Sequence, residues 1–275
     1  MPSIEQNRAV FERPNVWSDR GDNWSRPWGG TRAEWFGTIL PRIQGFLPVP
    51  RMLEIAPGLG RWTQFLLDYC ETLIGIDVAA SSIDGCRARF AQAPRASFYQ
   101  NDGRSLPHVD DGSVDFAFSF DSLVHAEIDV LGDYVAALSA KLSADGVAFL
   151  HHSNVGAYRS ALPWTARFRR WETRLPRGLS LRLRDLGAFD RPHWRARSVT
   201  ADAFANLCES SGLRCVRQEL VTWGTLRLLI DCFSVVIRPG SRWDGPQQVL
   251  RNVGFMREIW SINSVSDLYD FNQAS

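Results

Sequence analysis

The chain has 275 residues and a mass of 31.0 kDa, with 45% hydrophobic residues, 22% charged residues and a net charge of +1. These values indicate a globular protein with one sizeable core, and they exclude long disorder and a collagen-like repeat. No apolar stretch approaches the roughly 20 residues that span a bilayer, and the first residues lack a secretory signal pattern. Five scattered cysteines without a CxxC pair argue against disulfides and structural zinc, so a cytoplasmic location is expected.

Residues 1–50 are predicted to form an N-terminal arm and a lid helix, and the alternative is that the tryptophans of this segment pack on the flank of the sheet. The arm is rich in Pro, Gly, Asn and Trp, which is typical of irregular structure. Over residues 31–47 apolar side chains recur at helical spacing and share one face, and Pro41 is expected to kink that helix.

From residue 51 the pattern alternates short strands with helices. The predicted strands are 52–56, 72–76, 96–99, 114–120 and 146–150, and the predicted helices are 62–70, 81–90 and 129–142. Strands separated by helices of this length indicate βαβ units, and therefore a parallel sheet with helices on both faces. Residues 51–155 would form the cofactor-binding half of this domain.

Residues 156–198 are predicted to be an inserted basic lobe. Within it, residues 159–197 contain 11 arginines and three acidic residues, a net charge of +8 that the near-neutral total conceals. Its aromatic residues are Trp164, Phe168, Trp171, Phe189 and Trp194. Arginines with aromatics favour recognition of a substrate ring and an anionic group, and the alternative is a solvated helix face. No nucleic-acid module is apparent, so nucleic acid is not an expected partner.

Residues 199–240 are predicted to complete the domain with a helix over 202–210 and an antiparallel hairpin of strands 213–221 and 226–237. Residues 241–275 are predicted to be a C-terminal tail that is helical over 246–271. Its apolar, Trp-bearing sequence is a candidate for pairing with a second copy of the chain, so a homodimer is one expected assembly.

Glycines and acids stand at three successive strand ends, where open parallel sheets bind their ligands. The first strand ends in a turn with Gly58 and Gly60, which let the backbone approach a ligand. Asp77 ends the second strand and can accept hydrogen bonds from ribose hydroxyls, although a helix-capping Asp is the alternative. Asp102 follows the third strand, where its alternative is an Asx turn.

The segments LEIAPGLGRW, GIDVAASSI, NDGRSL and VDFAFSFDSLVH resemble the ordered motifs of class I S-adenosylmethionine (SAM)-dependent methyltransferases over about residues 50–153. More narrowly, FSFDSLVHAE and FLHHSN are similar to bacterial methyltransferases that act on sugars and other natural-product hydroxyls. The resemblance implies an α/β, Rossmann-like fold with a seven-stranded sheet of order 3-2-1-4-5-7-6, in which strand 7 is antiparallel.

The resemblance also implies SAM as cofactor and S-adenosylhomocysteine (SAH) as product. It implies methionine contacts for Glu54 and the Gly58 turn, ribose contacts for Asp77, and adenine contacts for Asp102. The full implied cofactor set is Glu54, Ala56, Gly58, Gly60, Asp77, Val78, Asp102, Gly103, Arg104 and Phe120. Phe120 and Asp121 would face the reacting methyl group. The sequence departs from the family pattern at Ala56, where a glycine is common.

Methyl transfer to a hydroxyl needs in-line positioning and a general base, for which a histidine is suited. The candidate catalytic residues are His125 first, then His152 and His151, together with Asp121. Adjacent residues of a strand point to opposite sides, so only one of His151 and His152 is expected in the site. The sequence has no dedicated metal-ligand spacing, so no metal site is predicted. A divalent metal is the alternative, because Glu127 and Asp129 lie near His125.

These features predict a SAM-dependent O-methyltransferase that acts on a hydroxyl of a sugar or other small natural product, with an acceptor that can carry phosphate. Three alternatives remain at this stage: an N-methyltransferase, a nicotinamide-dependent oxidoreductase, and a methyltransferase-like scaffold without activity. The oxidoreductase would need a G-x-G-x-x-G register that this turn lacks.

Overall fold

A computed structural model of the chain describes residues 3–13, 17–160, 194–225 and 227–270, together with Leu179. Within these residues the strands are β1 Val49–Ile55, β2 Cys70–Asp77, β3 Ala96–Gln100, β4 Val114–Ser119, β5 Leu142–Ser153, β6 Arg214–Val221, β7 Asp231–Ile237 and β8 Gln248–Asn252. They form one sheet in the order β3-β2-β1-β4-β5-β7-β6-β8. The predicted α/β class is confirmed, and so is the order of the first seven strands.

Strand directions follow the predicted plan. The strands β1 to β5 pair in parallel, and β7 runs antiparallel to both β5 and β6. Because the carboxyl ends of β1, β2, β4 and β5 meet at one edge, the residues that follow them are brought together there.

The predicted number of strands was wrong, because the tail contributes an eighth strand. Residues 248–252 pair with β6 in parallel instead of forming the first turns of a helix. This edge strand is mostly exposed, so its sequence carries no alternation of apolar and polar residues, and its pairing with β6 decides its conformation. The helix predicted over 246–271 begins only at Phe255.

Two other predicted strands have different bounds. The strand predicted over 226–237 begins at Asp231. The strand predicted over 146–150 extends from Leu142 to Ser153, so that both His151 and His152 lie inside β5 and pair with β7.

The helices are α1 Ile4–Phe11, α2 Thr31–Glu34, α3 Leu40–Ile43, α4 Thr63–Leu66, α5 Ala80–Arg89, α6 Ile128–Lys141, α7 Ala201–Ser210 and α8 Phe255–Leu268. Residues 35–39 between α2 and α3 form a π-helical turn, so the helix predicted over 31–47 is continuous but irregular just before Pro41. The helix predicted over 62–70 is only α4 followed by a 3-10 turn.

The sheet separates two apolar layers. Phe116 and Phe118 of β4 pack on one face with Trp35 of the N-terminal region, whereas Ala117 between them packs on the other face with Leu138 of α6. This alternation follows from the pleat of the strand. Full burial of one such phenylalanine contributes roughly 1.5–3 kcal/mol. The helical segment of α2 and α3 together with α8 therefore covers one face, and α6 and α7 cover the other.

Candidate active site

The turn after β1 has three residues with positive φ: Ala56 at 58°, Gly58 at 59° and Gly60 at 78°. The Ala56 amide donates to the Ile76 carbonyl at 2.7 Å, which fixes the turn against the end of β2. A Cβ on Gly58 would lie 2.4 Å from the Trp17 ring. Because glycine has no side chain at position 58, the N-terminal arm can pack directly on the turn.

Replacement of Ala56 by glycine is expected to stabilise the fold by about 0.5–1 kcal/mol. An alanine in the left-handed region costs about 1–2 kcal/mol, and the added chain entropy of glycine offsets part of that gain. Urea unfolding of both proteins measures the difference. Ala126→Gly is the control, since Ala126 has φ −86° and the same change there should destabilise. Equal effects of the two substitutions would contradict the strain argument.

Asp77 lies at the end of β2 and is only 6% exposed. Its Oδ1 accepts from the Ala79 amide at 2.8 Å and its Oδ2 from the Gly58 amide at 3.1 Å. Burial raises the pKa of this carboxyl to about 6, although the two amides oppose the shift. Asp77 thus joins the glycine turn to β2 and, with Val78, lines a cavity.

Glu54 lies behind the same turn and is 1% exposed. Its Oε2 accepts from the Thr63 hydroxyl, and its Oε1 has no partner among the described residues. Burial raises the pKa of this carboxyl to about 8. Glu54 is not part of the cavity wall that Gly58 and Asp77 share.

The third strand end differs from the expectation for a cofactor contact. Asp102 is exposed, and its Oδ1 accepts from the Arg104 and Ser105 amides and the Ser105 hydroxyl, as in an Asx turn. The Arg104 side chain points to Asp129 and Asp133 at the surface. Only Gly103 of this segment lines the cavity.

A first cavity of about 100 Å³ lies between these strand ends and the N-terminal arm. The arm residues that line it are Ile4, Asn7, Phe11, Trp17 and Trp24. The domain residues that line it include Ala56, Gly58, Asp77, Val78, Gly103, Asp121, Ser122, His125, Glu127 and Tyr134.

A second cavity of about 440 Å³ adjoins the first. Its described lining residues are Val10, Phe11, Trp24, Pro27, Trp28, Asp121, His125, Trp194, Arg195, Trp223, Gly224, Met256 and Ile259. Four residues line both cavities: Phe11, Trp24, Asp121 and His125. The boundary between the two spaces therefore carries one carboxylate and one imidazole.

Asp121 follows β4 with φ 58°, which is unusual for a residue other than glycine. Its amide donates to Nδ1 of His151 at 3.1 Å. Its carboxylate lies 3.2 Å from Arg61 and 3.6 Å from Arg195. The strained backbone is thus held in place, and it sets the carboxylate between two buried guanidinium groups. Phe120, one residue earlier, packs in the core against the His151 ring.

His151 and His152 lie on opposite sides of β5. The His151 ring bridges the Asp121 amide and Asp231, whose Oδ2 is 3.1 Å from Nε2. Because Nδ1 accepts from the amide, the ring holds its proton on Nε2 and uses both nitrogens for support. His152 stacks on Phe204 on the other face and shares hydrogen bonds with Ser153 and Ser234. Neither ring lines a cavity.

His125 has a different environment from the other two rings. Its ring lies 5.8 Å from Phe11 and 5.1 Å from Trp194, measured between centroids. Its Nδ1 is buried and has no partner among the described residues. Burial, reinforced by the charge of Arg195, lowers the pKa of His125 to about 4, so the imidazole is neutral at pH 7.

The sequence did not predict three charged residues of this site: Arg61, Arg195 and Asp231. Arg61 also contacts the buried Glu34 at 4.0 Å, and Arg195 forms a two-pronged ion pair with Asp231. Burial alone would raise the pKa of Asp231, but Arg195 and His151 lower it to about 2. The sequence contained one indication of a functional residue here: Asp231 is the only charged residue in the mostly apolar strand β7.

Four aromatic residues of the predicted basic lobe lie outside the described residues: Trp164, Phe168, Trp171 and Phe189.

In the part of the chain that the structure describes, no three His, Cys, Asp or Glu side chains are grouped to hold a metal ion. No helix within the same described ranges is long and apolar enough to cross a membrane.

Part of the chain is similar to a known protein family. Residues 52–146 match the family model of a methyltransferase domain. No curated protein sequence matches the chain.

Among solved structures, a protein from Pyrococcus horikoshii OT3 is 16% identical, with a TM-score of 0.55 over 84% of this chain and 98% of that one. A SAM-dependent methyltransferase from Clostridium acetobutylicum is 13% identical, with a TM-score of 0.53 over 76% and 92%. A SAM-dependent methyltransferase from Methanosarcina mazei is 15% identical, with a TM-score of 0.51 over 72% and 97%. At these identities the likeness shows a shared fold. The matched family model supports a methyltransferase domain over residues 52–146.

Proposed function

We propose that the protein transfers a methyl group from SAM to a hydroxyl of a small natural product, a sugar among the candidates, with His125 as the general base. The observation that carries the proposal is that Asp121 and His125 line both cavities. A donor in the first cavity and an acceptor in the second would meet at these two side chains.

The lining of the first cavity suits the adenosyl end of SAM. Asp77 presents a buried carboxylate whose oxygens each keep a further lone pair after accepting one amide, so they can accept from ribose hydroxyls. Gly103 and Val78 offer a wall without polar side chains next to it. SAM supplies a methyl group on a positively charged sulfur.

The orphaned Oε1 of Glu54 is a second observation in favour of a polar ligand near the turn. A buried acceptor without a partner is costly, and a donor from a ligand would satisfy it. This placement agrees with the contact to the methionine part that the resemblance implies for Glu54. The contacts of Asp102 and Arg104 with adenine remain predictions, and a small adjustment of the Asx turn would be needed for them.

The residues at and near the boundary of the two cavities have different proposed roles. His125 Nδ1 is free to take the proton that leaves the acceptor hydroxyl. Asp121 lies where it can orient the acceptor, and Arg61 and Arg195 fix its carboxylate. His151 is a positioning residue, because it holds the Asp121 backbone through Nδ1. His152 lies on the far face of β5, so it has no part in this proposal.

A cytoplasmic location belongs to the same proposal. All five cysteines are unpaired and buried, in agreement with a reducing compartment. Pairing of the tail with a second chain also remains a prediction, for which Trp260 and Leu268 of α8 offer exposed apolar surface.

Isothermal titration of the wild-type protein with SAH tests the proposal. We expect saturable binding of one SAH per chain. Absence of heat at protein concentrations suited to micromolar affinity would refute the proposed donor. Transfer of a labelled methyl group to nitrogen instead of oxygen in the accepted substrate would keep the donor and overturn the acceptor atom.

The pH dependence of turnover should reveal the environment of His125. Only a neutral imidazole can accept a proton, and burial keeps the pKa of His125 near 4 instead of about 6.5. We therefore expect kcat/KM for the acceptor, measured with SAM saturating so that titration of Asp77 in the free protein does not enter, to show no acidic limb near pH 6.5 and to stay level from about pH 8 down to about pH 5.5. A clear loss of kcat/KM with a midpoint near pH 6.5, while the protein stays folded, would contradict the assigned base.

A further inference from the structure

The walls of the second cavity are built largely from aromatic rings. Trp28 and Trp223 lie 5.2 Å apart between ring centroids, and Trp194 stands beside His125 at 5.1 Å. Met256 and Ile259 of α8 add apolar surface. Flat apolar walls of this kind favour a flat apolar ligand, because stacked and edge-to-face ring contacts add to the gain from burial.

The charges that face this cavity are already paired. Arg195 places three hydrogen bonds of 2.9–3.1 Å on Asp231, and Asp121 lies between Arg195 and Arg61. Two buried arginines are thus balanced by the buried Asp231 and the partly buried Asp121. Among the described lining residues no guanidinium is free to bind a phosphate, so these residues suit an uncharged ligand.

The supply of side-chain hydrogen-bond acceptors is also small. Of the described lining side chains, Asp121 and His125 are the two that can accept a hydrogen bond from a ligand hydroxyl. A sugar brings several hydroxyls, and each one that is buried without a partner lowers affinity. A ring with one hydroxyl places its polar group at these two residues and its apolar surface on the tryptophans.

The low basicity of His125 also favours a hydroxyl on an aromatic ring as the acceptor. Burial lowers the pKa of His125, so the neutral imidazole is a weak base. A phenolic hydroxyl has a pKa of about 10, against about 15.7 for water, so a weak base removes its proton far more easily than that of a water-like hydroxyl.

We propose that the acceptor is an uncharged, planar aromatic molecule and that the methylated group is a hydroxyl on its ring. This inference rests on the proposed methyl transfer and narrows its acceptor. The phenolic oxygen forms the new bond to the methyl carbon while the sulfur–methyl bond breaks and its electron pair stays on sulfur. The phenolic proton passes to Nδ1 of His125, which leaves the methyl ether, neutral SAH and an imidazolium that releases its proton to solvent.

Calorimetric titration with 2-naphthol, glucose and glucose 6-phosphate tests the proposal, with and without saturating SAH. We expect binding of 2-naphthol and none of either sugar. Trp194→Ala should weaken 2-naphthol binding about tenfold, the effect of losing one stacking face, and Trp194→Phe should restore most of it. Trp194 is 41% exposed, so the fold should tolerate both changes. Trp260→Ala removes an equally exposed tryptophan of α8 and should leave the affinity unchanged.

Tighter binding of glucose 6-phosphate than of 2-naphthol would overturn the proposal, and so would equal binding of 2-naphthol by wild type and Trp194→Ala. The SAH titration separates the two levels of inference. If SAH binds and 2-naphthol does not, the aromatic acceptor is wrong and the donor site stands. If 2-naphthol binds as expected and SAH does not, the aromatic cavity stands and the proposed methyl transfer fails.

Discussion

Replacing Asp77 by alanine is expected to lower the affinity for SAH by at least about 100-fold. The variant would lack the two hydrogen bonds that the Asp77 carboxylate is proposed to accept from ribose hydroxyls. Hydrogen bonds to a charged group contribute roughly 1.5–3 kcal/mol each. The substitution also frees the Gly58 and Ala79 amides, which loosens the turn that borders the first cavity. Titration calorimetry of purified variants measures the change.

Asp102→Asn serves as the comparison. The asparagine oxygen can keep the Asx turn that Asp102 makes with Arg104 and Ser105. Because this side chain is exposed and outside the cavity wall, we expect an affinity loss of less than about tenfold. If Asp102→Asn weakened SAH more than Asp77→Ala, the assignment of the two acids would have to be reversed. Circular dichroism of both variants checks that the fold is retained.

Replacing His125 by alanine is expected to reduce kcat by about 100-fold or more, the usual contribution of a positioned general base. The affinity for SAH should change by less than about twofold, since an imidazole at the boundary of the cavities is expected to act mainly on the acceptor. His108→Ala is the matched control, because His108 is exposed, stacks on Tyr99 and lies in neither cavity wall. Full turnover in His125→Ala would remove the base from the account.

His152→Ala gives a second comparison within β5. Its ring packs on Phe204 and bonds Ser234 on the face away from the cavities. We expect this variant to lose stability while the protein that remains folded keeps its kcat. A specific loss of kcat without loss of stability would place His152 in the mechanism after all.

Much of the cofactor half could be predicted from the chain. Asp77 and the Gly58 turn follow apolar runs of strand length, and parallel strands bring their carboxyl ends to one edge. That topology alone places the residues after β1, β2, β4 and β5 near one another. The alternation of a strand also predicts that one of His151 and His152 faces the site side.

Which of the two histidines faces that side needed the structure, because it depends on which layer the N-terminal arm covers. His151 shares its side with Phe120 and Trp223, and His152 shares its side with Phe204 of α7. The support role of His151 was hidden as well, since it requires the Asp231 carboxylate from a strand 80 residues further along the chain.

The walls of the second cavity were the least predictable part. Trp28 comes from the arm, Trp194 from the end of the inserted segment, and Trp223 from the connection between β6 and β7. No local pattern brings three such distant segments together. The ion pairs of Arg61 and Arg195 with Asp121 share this property, because each partner lies at least 60 residues from the other.

A crystal structure of the protein with SAH tests the central claim most directly. The account predicts SAH in the first cavity, with its ribose hydroxyls on the Asp77 carboxylate and its sulfur at the boundary marked by Asp121 and His125. SAH bound at another place on the molecule, or with its sulfur turned away from that boundary, would contradict the account.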